Sequence, residues 1–205
     1  MFDKIKSQCD HLVAQFDEIP ESRKEILQRI AKYIQEKNTN NQEIRLVYVC
    51  THNSRRSHFG RVWGKVAASY YGVKNVTTFS AGTEATAMHP NTVKALESIG
   101  FNIDQLNQSV NPVYEISYSV DEEGLRCFSK TIDDPIVPKD HFAAIMTCSE
   151  AEENCPFVPG AELRISTTYE DPKLFDGTIQ QDEKYIERSL QIARDNLYLF
   201  SLIKK

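Results

Sequence analysis

The chain has 205 residues, 40% of them hydrophobic and 26% charged, with a net charge of −5. That length fits one sizeable core with an appendage, and the acidic balance without a basic run excludes nucleic acid as the main partner. No apolar run approaches the ~20 residues that span a bilayer, and the amphipathic, charged N-terminus does not read as a secretory leader, so the expected location is the cytoplasm.

Residues 1–37 read as two helices. Phe2, Ile5, Cys9, Leu12, Val13 and Phe16 recur at helical spacing. Pro20 ends that pattern, and Ser22 with Glu25 reads as a capping box that opens a helix through Ile26, Leu27, Ile30, Tyr33 and Ile34. Residues 37–41 form a polar linker. The pair is expected to bury its stripe on the main domain or on a partner, with Cys9 as a core residue.

Residues 44–57 are the centre of the chain. Leu46-Val47-Tyr48-Val49 reads as a buried strand that stops at Cys50; Arg56 and Ser57 follow, then a helical pattern through Phe59, Val62, Trp63, Val66 and Tyr70 that ends at Gly72. A strand, a tight loop and a helix N-terminus make an anion site, because unpaired backbone N–H groups and the helix dipole face the loop. The same field, with Arg56, would stabilise a Cys50 thiolate. The loop thus points to a nucleophilic thiolate beside a tetrahedral oxyanion, against the plainer alternative of a small buried residue at a strand end.

Val76–Ser80 reads as a second strand, Ser80-Ala81-Gly82-Thr83 as a loop, and Pro90 to Ile99 as a helix with His89 as its cap or turn residue. The alternation implies a parallel sheet with helices on both faces. Residues 111–140 break the rhythm with an inserted hairpin, in which Cys127 is a strand residue. Phe142–Thr147 is a buried strand ending at Cys148, Leu163–Ser166 a shorter one, and Tyr185–Phe200 a closing helix. The expected division is an N-terminal helical extension over 1–41 and an α/β domain over 42–205. The five cysteines, an odd number, point to free or catalytic thiols. No metal site is expected, since no second close pair of Cys or His is present.

Val49-Cys50-Thr51-His52-Asn53-Ser54-Arg55-Arg56-Ser57 resembles the loop shared by low-molecular-weight protein tyrosine phosphatases and thioredoxin-coupled arsenate reductases. Ser80–Thr83 resembles the segment after their second strand, and Glu170-Asp171-Pro172 their general-acid loop. The segment from Thr147 to Pro156, with Cys148 and Cys155 seven residues apart, resembles the redox segment of the reductases.

The resemblance covers residues 44 to about 200. It implies a doubly wound, four-stranded parallel sheet with its site at the carboxyl ends of the strands. It also implies roles. Cys50 is the nucleophile. Arg56 and the loop amides, from Thr51, His52, Asn53, Ser54 and Arg55 to Arg56, hold the oxyanion. Ser57 hydrogen-bonds the thiolate, and Asp171 protonates the leaving oxygen. Cys148 and Cys155 form a redox relay served by thioredoxin, with no cofactor.

Read from the residues alone, Asp171 could begin a turn, and Cys148 and Cys155 could be inert thiols. The function implied is arsenate reduction. A phosphatase acting on phosphotyrosine or a small ester is the alternative, and an oxyanion-binding or redox-sensing protein without turnover a second.

Departures from the family pattern carry expectations of their own. His52 stands where the family has Gly, which would reshape the loop or line the cleft. Arg55 stands where members often have a second Cys. Arg61 stands where reductases often have a Glu of a potassium site, so its guanidinium is expected to replace the ion. Lys173 and Leu174 stand where phosphatases carry two aromatics, which weakens a phosphotyrosine reading.

Overall fold

The strand Ile44–Cys50 (β1) is the axis of the fold. In the computed structural model, which describes residues 1–155 and 157–204, β1 pairs in parallel with Val76–Gly82 (β2) on one side and with Phe142–Met146 (β6) on the other. Ala161–Ser166 (β7) extends the sheet beyond β6, giving the order β2-β1-β6-β7. The near-continuous apolar run of β1 follows from burial on both faces. Ile44, Leu46 and Tyr48 enter one core, and Val47 and Val49 enter the other.

The larger core is covered by Asp3–Val13 (α1), Glu21–Thr39 (α2), Arg56–Tyr71 (α3), Pro90–Ile99 (α4) and Gln181–Ser201 (α6). The second is closed by the short Ser149–Asn154 (α5) with Val137 and Val158. Gly60 and Gly64 let α3 approach β1: a Cβ at either would stand 2.3 or 2.4 Å from the Tyr48 side chain. Gly72 ends α3 in the left-handed region, φ 68°.

The first two helices pack on the main domain. Ile5, Cys9, Leu12, Leu27, Ile30 and Ile34 are buried in its larger core. Burial pushes the Cys9 thiol up to about 12, which keeps it protonated and inert. The Ser22–Glu25 capping box is not formed. Pro20 is the N-cap of α2, no side chain caps it, and its carbonyl accepts from the N–H groups of Arg23 and Lys24. The helix also runs three residues into the expected linker, to Thr39, and the chain turns at Asn41, φ 52°.

The strands Asn102–Gln105 (β3), Tyr114–Ser117 (β4) and Leu125–Cys127 (β5) form a separate antiparallel sheet. The sequence pattern shows β4 and β5. It hides β3, whose residues are mostly exposed, so they carry no apolar alternation. After β5 the chain leaves the small sheet and runs back along the end of β2, where Gly82 bridges to Thr131.

Candidate active site

Four carboxyl ends of the parallel sheet deliver the candidate residues to one place, as the doubly wound topology dictates. Cys50 ends β1 and is buried. Its Sγ lies 3.0 Å from Ser57 Oγ in the first turn of α3. Asn53 Nδ2 donates to that same hydroxyl at 2.7 Å. Ser57 Oγ is therefore already an acceptor, and its own hydrogen is free to point at sulfur. A hydrogen bond from that hydroxyl to an anionic sulfur would be charge-assisted.

Among the described residues, the backbone N–H groups of Thr51, His52, Asn53, Ser54 and Arg55 find no protein acceptor. They line the turn between the thiol and α3. Such a cradle fits an oxyanion.

The loop is braced from behind. Ser54 Oγ donates to the Ala87 carbonyl, and the Ser54 carbonyl accepts from His89 N–H and Thr92 Oγ1. Gly82 is needed at the end of β2, because a Cβ there would stand 2.6 Å from the Thr51 carbonyl and 2.7 Å from Asn53 N.

Arg56 is buried, its Nη1 on the Tyr169 carbonyl at 2.9 Å and its Nη2 on Asp171 Oδ2 at 2.5 Å. Among the described residues its Nε has no protein partner. Asp171 also caps the short helix Pro172–Phe175, accepting from Lys173 N–H at 3.0 Å. The candidate acid and the candidate clamp thus hold each other, and an oxyanion arriving at Nε would share the guanidinium with the carboxyl group.

The loop before Asp171 is fixed by α2. Arg23 Nη2 donates to the Thr168 carbonyl at 2.7 Å, and its guanidinium lies 5.0 Å from the Tyr169 ring centre. The buried Tyr169 hydroxyl donates to Asp195.

Cys148 caps α5. Its Sγ accepts from Ala151 N–H and lies 3.4 Å from Thr51 Oγ1. It shares a core cluster with Cys50, and Cys155, at the far end of α5, packs against that cluster half-buried. Seven steps of helix separate Cys148 and Cys155 by about 10 Å, more than the ~7 Å between Cα atoms that a disulfide spans. Joining them requires α5 to unwind. Pro156, the last residue of the redox-segment match, lies outside the described residues.

Of the departures, His52 leaves the loop's backbone shape to its neighbour and lines a cleft beside it. The left-handed residue of the loop is Asn53, φ 44°, whereas His52 is not in that region. Asn tolerates this conformation, so His52 does not distort the loop; it is half-exposed, 3.5 Å from Glu84. The Arg55 side chain turns to Tyr185 and Asp176, leaving only its backbone to the oxyanion cradle.

Arg61 stands near Lys130 and His58, whose charges it affects. Its Nη1 donates to the Arg126 carbonyl, and the ammonium placed among the loop's supports is that of Lys130. The sequence reading missed Lys130, His58 and Arg23. One lysine in a strand-like run and one histidine in a helix carry no spacing signal. A cavity of about 310 Å³ opens beside the loop, with His52, Arg55, His89 and Lys173 in its wall, a setting for an anion. His89 caps α4, accepting from Asn91 N–H.

This fold and this loop define an α/β protein of the low-molecular-weight phosphatase type. The solved structure of a low-molecular-weight phosphotyrosine phosphatase from Vibrio cholerae O395 superposes with a TM-score of 0.52, at 14% identity, over 77% of this chain and 95% of that one. An arsenate reductase in its oxidized state superposes at 0.51, with 19% identity, over 78% and 98%. At these identities the likeness is one of fold. No family model matches the chain. In sequence, an arsenate reductase from Bacillus cereus strain Q1 is 32% identical over 128 residues, 62% of this chain and 75% of the relative. The chain belongs to the arsenate reductase family. Among the described residues, no helix is long and apolar enough to cross a membrane.

Proposed function

We propose that the protein is a thiol-dependent arsenate reductase in which Cys50 is the nucleophile and Cys148 and Cys155 carry the electrons. The Cys50 thiolate attacks arsenate to form a sulfur–arsenic bond. Arg56 and the loop amides stabilise the charged oxygens, and Asp171 protonates the oxygen that leaves as water. Cys148 then attacks Cys50 Sγ. A Cys50–Cys148 disulfide forms, and the electron pair of the sulfur–arsenic bond passes to arsenic, which leaves as arsenite. Cys155 attacks Cys148, α5 unwinds, and Cys50 is freed. A dithiol protein of the thioredoxin class, in the cytoplasm, reduces the Cys148–Cys155 disulfide.

The observation that carries this reading is the seat of Cys148 against Thr51, the residue that follows the nucleophile. A phosphatase needs Cys50, Arg56 and Asp171 but has no use for a second thiol there. The experiment is a single turnover with arsenate, followed by peptide mapping. The Cys155→Ser variant should accumulate a Cys50–Cys148 disulfide and release one arsenite. No disulfide in that variant, with arsenate unreduced, would contradict the relay. Phosphatase action is the second reading. It is favoured by the completeness of the Cys50–Arg56–Asp171 set, with the acid already at hydrogen-bond distance from the clamp.

A further inference from the structure

The segment that follows β5 packs against the back of the oxyanion loop. Gly82 N–H donates to the Lys130 carbonyl at 2.9 Å, and Ile132 N–H to the Gly82 carbonyl at 3.0 Å, so residues 130–132 lie along the end of β2. Ser129 Oγ donates to the His52 carbonyl at 2.9 Å. Lys130 N–H donates to Asn53 Oδ1 at 2.9 Å. Asn53 in turn orients Ser57, which faces Cys50.

The Lys130 side chain is buried at 3% exposure. Its ammonium donates to the Ser80 carbonyl at 3.2 Å and the Phe128 carbonyl at 2.9 Å, and sits 4.3 Å from the centre of the Phe128 ring. No carboxylate among the described residues pairs with it. A buried charge without a counter-ion costs stability, so its presence calls for a use.

A second route from the same residue converges on Asn53. Ser80 Oγ lies 3.3 Å from His58 Nδ1, and His58 Nε2 lies 2.9 Å from the Asn53 carbonyl. A carbonyl only accepts, so Nε2 carries the proton and Nδ1 accepts from Ser80. Burial, then the Lys130 and Arg61 cations, hold the His58 pKa well below its ordinary value, so the ring stays neutral in this tautomer.

We propose that Lys130 is a positioning residue of the site: a fixed internal cation that holds Asn53 through its own backbone and through Ser80 and His58, and so sets the Ser57–Cys50 contact. This rests on the reading of Cys50 as the nucleophile. The groups that face the ammonium are Arg61 and His58 from α3, Cys127 from β5 and Asp134 from its own loop, and β2 offers the Ser80 carbonyl. Burial, then Arg61, lowers the Lys130 pKa to about 8. The charge is present below that pH and lost as pH rises through it.

The test follows iodoacetamide alkylation of Cys50 by mass spectrometry across pH, with aryl-phosphate hydrolysis alongside. Lys130→Met should slow Cys50 alkylation at neutral pH and lower kcat by roughly 10- to 100-fold, the range for outer supports of a reactive group, with little change in KM. The wild-type decline above about pH 8 should be absent in that variant. Lys130→Ala leaves room for a small cation, and added methylammonium should restore part of the rate, whereas tetramethylammonium, too large for the space, should not. Wild-type alkylation and pH profiles in Lys130→Met would overturn the proposal. So would a folded, inactive Lys130→Ala that methylammonium leaves inactive, since that marks packing rather than charge. Hydrolysis that survives in Cys50→Ser would instead sink the nucleophile reading, and the alkylation arm would still report on Lys130.

Discussion

At the residue scale, the chemistry depends on who donates to whom around one sulfur. Asn53 Nδ2 occupies an acceptor site of Ser57 Oγ, and the Ser57 hydrogen is thereby directed at Cys50 Sγ. Ser57→Ala removes a hydrogen bond to an anion, worth about 1.5–3 kcal/mol. Cys50 alkylation at neutral pH should therefore slow by roughly 10-fold or more. An unchanged rate would mean that the loop amides alone support the sulfur.

Asp171 and Arg56 form a pair in which each restrains the other. Asp171→Asn should lower kcat by roughly 10²- to 10⁴-fold, the span of general-acid catalysis. Inorganic phosphate should bind at least as tightly, because Arg56 loses its ionic partner and faces no carboxylate charge beside the incoming anion. Phosphate titration by calorimetry checks this, and a large loss of affinity would contradict it.

At the scale of elements, the site depends on contacts made by segments that do not touch the oxyanion. Gly82 permits the end of β2 to meet the loop. Gly82→Ala forces a Cβ against two backbone atoms of that loop, so it should cost activity and thermal stability together. Activity and melting temperature measured on one preparation check this.

His58 gives α3 a pH signature. Its folded pKa lies well below its unfolded value. As pH falls below about 6.5, the unfolded chain takes up a proton that the native chain refuses, so stability declines on the acid side. Urea unfolding of the wild type and His58→Gln between pH 7 and pH 5 should show a smaller decline in the variant.

The same scale explains what could be read from sequence. β1 and β6 announce themselves because strands buried on both faces are mostly apolar, β2 because its Val, Thr and Phe residues favour strands, and the Cys50 loop because it lies between a strand and a helix. His89 as a cap was legible from the proline behind it. The capping box at Ser22 was a false signal: Pro20 starts the helix two residues earlier, and the pattern cannot choose between two overlapping starts. β3 was invisible because its side chains are mostly exposed. The supports Lys130, His58 and Arg23 were invisible because their meaning lies in distant partners, Asn53, Ser80 and Thr168 at 77, 22 and 145 residues, whereas local pattern reports only on neighbours a few positions off.

At the scale of the whole molecule, the first two helices are part of the core that supports the site. Ile5, Leu12, Leu27, Ile30 and Ile34 are buried against the main domain, and Arg23 braces the loop that carries Asp171. Burying each such aliphatic contributes about 1.5–3 kcal/mol, and together they rival a domain's whole stability of about 5–15 kcal/mol. A chain beginning at residue 42 should therefore be insoluble or unfolded; a folded, active 42–205 fragment would make the helices a separable extension.

The central claim is that three cysteines act in sequence on arsenate. It is tested most directly by arsenate-dependent NADPH oxidation with thioredoxin and its reductase, comparing the wild type with Cys148→Ser, while aryl-phosphate hydrolysis is followed in both. The account predicts arsenate turnover in the wild type, none in Cys148→Ser, and hydrolysis, where present, in both. Arsenate turnover that survives the loss of Cys148, or hydrolysis with no response to arsenate in either protein, would contradict it.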